Sequence, residues 1–73
     1  MKNNGDIQKK LLKAQQSELT EYETYKGLAA RTTNTANRSV LLHIAEDEKK
    51  HYKFWRKYTK KDIGPSWWKV YSY

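Results

Sequence analysis

From Asp6 to Arg31 the apolar residues recur at helical intervals, at Ile7, Leu11, Ala14, Tyr22, Tyr25 and Ala29, with no proline among them. That period predicts a helix over about 6–31. The next stretch, TTNTANRS, is small and polar, of the kind that ends one helix and caps another. Leu41, Ile44, Tyr52, Trp55 and Thr59 then repeat the helical spacing and predict a second helix over about 35–60. Gly64 and Pro65 in DIGP stop it. The expected fold is all-α: an antiparallel two-helix hairpin over residues 1–61, then an aromatic tail over 62–73 that contains SWWKVYSY. Each helix would be close to 38 Å long at the usual rise. A hairpin encloses no interior, so the second side of each apolar stripe calls for a partner. Dimerisation into a four-helix bundle is the expectation.

Two carboxylates disturb this pattern. At about 100° per residue, with Glu18 at zero, all six apolar residues of the first helix fall within roughly 40° of it. With Glu48 at zero, the five listed positions of the second helix do the same, and His51 lies about 60° to one side. Both glutamates therefore sit on the centre line of an apolar stripe. A charged carboxylate there costs several kcal/mol unless it is paired or binds a cation. The helices also match at an offset of 30 residues: Leu11 with Leu41, Ala14 with Ile44, Glu18 with Glu48, Glu21 with His51, Tyr22 with Tyr52, Tyr25 with Trp55. Glu48 and His51, at i and i+3, can grip one ion together, and Glu18 can reach it from the other helix. Oxygen donors with a single imidazole suit iron or manganese better than zinc or copper. One hairpin holds half of a dinuclear site, so the dimer that buries the stripe would also complete the centre.

Composition narrows the alternatives. Cysteine is absent, which removes disulfides and thiolate metal sites as staples for so short a chain. The longest apolar run is Val40-Leu41-Leu42, so no transmembrane helix is expected. MKNNGDIQKK has no apolar core of the signal-peptide type. A cytoplasmic setting follows, or the cytoplasmic face of a membrane if the tail lies there. Fifteen Lys and Arg against eight Asp and Glu give a formal charge of +7. This raises a basic hairpin binding nucleic acid or lipid headgroups as a third reading. The signs are mixed at helical spacing in EDEKKHYKFWRKYTKK, which fits a solvated face, and no specific nucleic-acid partner is expected.

The spacing Glu18-x6-Tyr25-x22-Glu48-x-x-His51, within SELTEYETYKGLA and LLHIAEDEKKHYKFWRKYT, resembles the rubrerythrin branch of the ferritin-like superfamily. It is most similar to the ferritin-like domains fused to vacuolar-iron-transporter-type membrane proteins, and the half-bundle is also similar to encapsulated ferritins. The likeness covers roughly Leu11 to Thr59. Bundles of this kind take a Glu from each of two helices and Glu-x-x-His from each of the other two. The resemblance implies a dinuclear iron centre with Glu18, Glu21, Glu48 and His51 as metal ligands. Glu48 would be the bridging carboxylate, His51 the terminal imidazole, and Tyr25 a tyrosine that hydrogen-bonds a ligand carboxylate. Glu48 and Tyr25 are then the residues expected to matter for catalysis. The chain departs from the resemblance in two ways: it carries one helical pair instead of two, and no rubredoxin-type cysteine module.

The expected function is iron binding with oxidation of Fe(II) by oxygen or peroxide. The alternative is a non-catalytic iron or manganese module of a membrane metal-transport protein. The expected partners are a second copy of the chain, iron ions, and a membrane domain or surface reached through the tail. Several positions stay open on the residues alone. Glu21 lies off-centre, where a surface role and ligation are equally open. Asp47 either orients a histidine or forms an i,i+4 pair with His51, and His43 reads as a surface residue. The tail is a strap over the bundle, an oligomer contact or a juxtamembrane stub.

Overall fold

The computed structural model of the chain describes residues 4–72, and they are helical apart from short connections. Helix α1 spans Asn4–Ala30, α2 spans Thr35–Thr59, and a short α3 spans Trp67–Tyr71. α1 and α2 pack side by side as an antiparallel hairpin of 50 × 22 × 19 Å, and α3 packs on α1. The two expected helices are present within two residues at every end. The difference lies in the tail, which is a folded part of the chain: residues 60–66 cross α1 and deliver α3 to its side.

Local chemistry sets the ends. At the close of α1, the Thr32 hydroxyl donates to the Leu28 carbonyl at 2.7 Å, and the Arg31 and Thr32 amides make tight i−3 bonds. The Arg38 guanidinium donates twice to the Thr32 carbonyl, at 2.9 and 3.1 Å, which ties the turn to the first turn of α2. Asn34 is the N-cap of α2, its side-chain oxygen accepting from the Asn37 amide at 2.9 Å. Lys60 ends α2 in the left-handed region, φ 57°, and its amide reaches the Arg56 carbonyl at 2.8 Å.

Packing between α1 and α2 is thin in hydrocarbon. Ala29 and Ala45 are the buried apolar residues among those described. Around them the buried positions are polar: Gln15, Thr20, Thr24 and Thr59. The expected stripe is present but half-covered. Leu11, Leu41, Ala14, Ile44, Tyr22, Tyr52, Tyr25 and Trp55 are all half-buried, and the matched residues of the two helices are covered to the same degree. Ile7, expected inside the stripe, is 48% exposed. The physical reason is the one foreseen for a lone hairpin: each helix shields only the flank that faces its neighbour.

A polar latch joins the C-terminal segment to α1. Gln15 is 0% exposed. Its amide nitrogen donates to the Lys61 carbonyl at 2.6 Å, and its amide oxygen accepts from the Thr59 hydroxyl at 2.6 Å. Gln8 donates to the Thr59 carbonyl and Gln16 to the Gly64 carbonyl. The Thr20 hydroxyl accepts from the Ser66 amide at 2.9 Å while donating to the Gln16 carbonyl at 2.7 Å. Outside the latch, Asp62 pairs with Arg56 at 2.8 Å and accepts from the Tyr52 hydroxyl at 3.4 Å.

Because Gln15 is the sealed member of this latch, Gln15→Leu should strand the Thr59 hydroxyl and the Lys61 carbonyl. We expect a loss of roughly 2–3 kcal/mol of stability from such unsatisfied buried groups. Gln16→Leu, at an exposed bond, should change stability by under about 0.5 kcal/mol. Urea unfolding followed by circular dichroism measures both, and equal losses would show that the latch does not hold the tail.

Candidate metal centre

The long helices bring Glu18, Glu48 and His51 together at mid-length. Glu18 comes from the centre of α1; Glu48 and His51 come from one face of α2, three residues apart. One oxygen of each carboxylate and a ring nitrogen of His51 lie within 4.8 Å of one another. His51 Nδ1 is 3.3 Å from Glu18 Oε2 and 3.3 Å from Glu48 Oε1. The two carboxylates are sheltered, at 22% and 14% side-chain exposure, while the imidazole is 57% exposed. The cluster therefore sits on the uncovered side of the helix seam, with its histidine facing out.

Glu21 joins the same group from one turn further along α1. Its carboxyl is hydrogen-bonded to Glu48, and that bond raises its pKa from an ordinary 4.5 to about 7, helped by partial burial and by the Glu48 charge and opposed by His51. The raised pKa lets Glu21 keep a proton beside the Glu48 carboxylate near neutral pH. A divalent ion could take the place of that proton and accept Glu18, Glu48 and His51 as ligands, with Glu21 at hand. The residues present fit such an ion: oxygen-rich, one imidazole, and a surplus of negative charge.

The surroundings carry positive charge. The Tyr22 ring lies beside the cluster's elements with the Lys26 ammonium 4.8 Å and the Lys49 ammonium 5.1 Å from its centroid. Lys26 also pairs with Glu23 at 2.9 Å, which raises its pKa.

The expected site residues divide as follows. Glu18, Glu48 and His51 meet as their spacing requires, and Glu21, left open between surface and site, lies against Glu48. Tyr25 is half-buried and lines a groove beside α3; among the described residues it makes no hydrogen bond to Glu18 or Glu48 within the chain. The suggested Asp47–His51 pair does not form, because His51 turns to Glu18 and Glu48 instead. Asp47 and His43 are exposed. Sequence reasoning missed Gln15. Gln8, Gln15, Tyr22 and Ala29 recur every seven residues, which places Gln15 on the flank of α1 that meets α2 without marking it as buried.

No protein family, curated protein or solved structure gives a significant match to this chain.

The Glu21 proton makes a pH prediction. The folded pKa of Glu21 lies above its ordinary value, so its contribution to stability is fully present below about pH 4.5 and is lost as pH rises through about 7. Glu21→Gln mimics the protonated form and should remove that dependence. In chelator, the stability gap between Glu21→Gln and wild type should therefore widen from pH 5 to pH 8. A gap that stays flat or shrinks over that range would show that Glu21 does not keep a proton beside Glu48.

Proposed function

We propose that two copies of this hairpin form a ferritin-like, rubrerythrin-type four-helix bundle around a dinuclear iron, or iron/manganese, carboxylate centre. The proposed activity is oxidation of Fe(II) by oxygen or peroxide. The observation that carries this reading is the meeting of Glu18, Glu48 and His51 across two helices. One hairpin supplies one such set, and a twofold pairing supplies two.

The uncovered edge supports the pairing. Glu21 and His51, both exposed, mark the side of the seam that α1 and α2 leave open. Along α1, Ile7, Ala14 and Leu28 share the edge of Glu21 at seven-residue intervals. Along α2, Val40, Ile44, Trp55 and Tyr58 share the edge of His51. Ile7, Val40 and Tyr58 are 48%, 56% and 61% exposed. A second copy would cover these residues and the cluster in one step, and would shield its electrostatics from water.

When bound, two ferrous ions would supply one electron each, together reducing oxygen to hydrogen peroxide or peroxide to water with two protons. The chain's own residues set the conditions. Glu18 and Glu48 balance the added positive charge, His51 offers Nδ1, and Glu21 releases its proton as the ion arrives. Tyr25 would orient a carboxylate of the paired hairpin through its hydroxyl.

A second reading has its own observation. Trp68 and Tyr71 on α3 are 71% and 80% exposed beside Lys69, a surface suited to a membrane interface. On that reading the hairpin is a non-catalytic iron- or manganese-binding module of a membrane metal-transport protein. Among the described residues no helix is long and apolar enough to cross a membrane.

Metal titration tests the site. Wild-type chain should take up about one Fe(II) per hairpin with a rise in melting temperature and in self-association. Glu48→Ala should abolish stoichiometric uptake, while His43→Ala should leave it unchanged. Equal losses from both, or a monomer equally stable in chelator and in excess metal, would overturn the assignment.

Stopped-flow absorbance separates the two readings. Anaerobic ferrous protein mixed with oxygen should form ferric product faster than iron in buffer, and Tyr25→Phe should slow this without emptying the site. If wild type binds iron yet oxidises it no faster than buffer does, the metal-capture module is the better account.

A further inference from the structure

Beside the metal cluster a groove of about 310 Å³ opens between α1 and α3, with Glu21 and Leu28 of the cluster-side edge among its lining. Its volume is at the lower end of the range for small-molecule sites. We propose that this groove binds a small carboxylate with an apolar body.

The lining defines that chemistry. Lys13 and Lys69 bring two cations to the walls, from α1 and α3 respectively. Neither ammonium has an ion-pair or hydrogen-bond partner among the described residues. The Ser17 and Tyr25 hydroxyls are equally unengaged and supply neutral donors. Thr20 and Thr24 also line the groove, but their hydroxyls already donate to the Gln16 and Thr20 carbonyls at 2.7 and 2.8 Å. Leu28 and the Tyr25 ring supply the apolar wall. Glu21 is the one acid of the lining, set against the two lysines. Two lysines on facing elements, beside a wall of ring and leucine, are the complement of a compact carboxylate that carries hydrocarbon.

The latch gives the groove a defined shape. The Ser66 amide is fixed by the Thr20 hydroxyl at 2.9 Å, and Ser66 itself lines the groove. α3 is thereby held over α1 by a bond within the site, so the walls do not depend on the ligand to assemble. The inference needs no metal, and it shares Glu21 and Tyr25 with the iron reading, so the test is made in chelator.

The test is amide NMR on the full chain in chelator, with three probes. Benzoate carries head and body, acetate the head alone, and benzyl alcohol the body alone. Benzoate should give saturable shifts at millimolar concentration, centred on Lys13, Ser17, Tyr25 and Lys69, and at least about tenfold tighter than either fragment. Lys13→Gln with Lys69→Gln should weaken benzoate by about tenfold or more, while Lys53→Gln with Lys57→Gln, away from the groove, should not. Circular dichroism confirms that each variant is folded, and the comparison of the three probes needs no variant at all. The inference is overturned if benzoate binds no better than acetate, if its shifts centre on the exposed Phe54 and Tyr58, or if a second copy keeps the groove closed to all three.

Discussion

A two-helix hairpin has a seam and no interior, and the rest of this structure follows from that constraint. Two round helices touch along a line, and near that line only small side chains fit between the backbones. Ala29 and Ala45 occupy it and are the buried apolar residues described. Larger side chains must lie to either side, where each is covered on one flank and wet on the other. Half-burial of Leu11, Leu41, Tyr22, Tyr52 and Trp55 is therefore a geometric outcome and does not signal poor packing. Hydrophobic burial per residue is correspondingly small, and specific polar bonds carry a larger share of the structure than in a domain with a closed core.

Those bonds fall on the two sides of the seam in different ways. On one side the buried polar groups have partners. Gln15 holds both Thr59 and Lys61, Thr20 holds Ser66, and no buried side-chain nitrogen or oxygen among the described residues lacks a hydrogen bond. On the other side like charges are crowded. Glu18 and Glu48 meet at a single imidazole, and the neighbouring Glu48 raises the Glu21 pKa to about 7. Fully satisfied networks rigidify a fold, whereas a cluster with surplus charge is poised to take up a cation. The contrast separates the side that holds the chain together from the side that can do chemistry.

Much of this was legible from spacing alone. Helix limits follow from apolar period, from the small polar stretch TTNTANRS and from the Gly64-Pro65 stop, because these depend on local backbone chemistry. Glu18, Glu48 and His51 could be placed together because a helix converts i and i+3 into a shared face, and antiparallel pairing puts two centre lines opposite one another. Two features were not legible. Gln15 reads as one more polar residue on a polar-rich helix; its burial depends on where the tail crosses, which is a tertiary fact. The tail stood open between a strap over the bundle, an oligomer contact and a juxtamembrane stub; it is a strap whose backbone carbonyls and amide α1 binds, and main-chain groups leave no mark in a sequence. Glu21 was legible only as a position. Its bond to Glu48 depends on a few tenths of an ångström in side-chain placement, beyond what a helical wheel resolves.

The latch also bears on how copies of the chain could meet. α1 has α2 on one flank and the tail with α3 on another, so its remaining open edge is the one that carries Ile7, Ala14 and Glu21. α2 is open along Val40, Ile44, His51 and Trp55. These two edges lie on the same side of the seam and belong to one continuous surface. A surface of that kind can be covered by its own copy through a twofold axis, each edge meeting an edge, which closes the assembly at two. Were the tail absent, the far flank of α1 would offer a second uncovered strip, and contacts there could propagate from chain to chain. Holding the tail in place with glutamines and threonines covers that flank of α1, and the acidic cluster lies on the side of the seam left open. Pairing and ion uptake are thereby tied to the same surface, since a carboxylate cluster covered without a cation would be buried with its repulsion unrelieved.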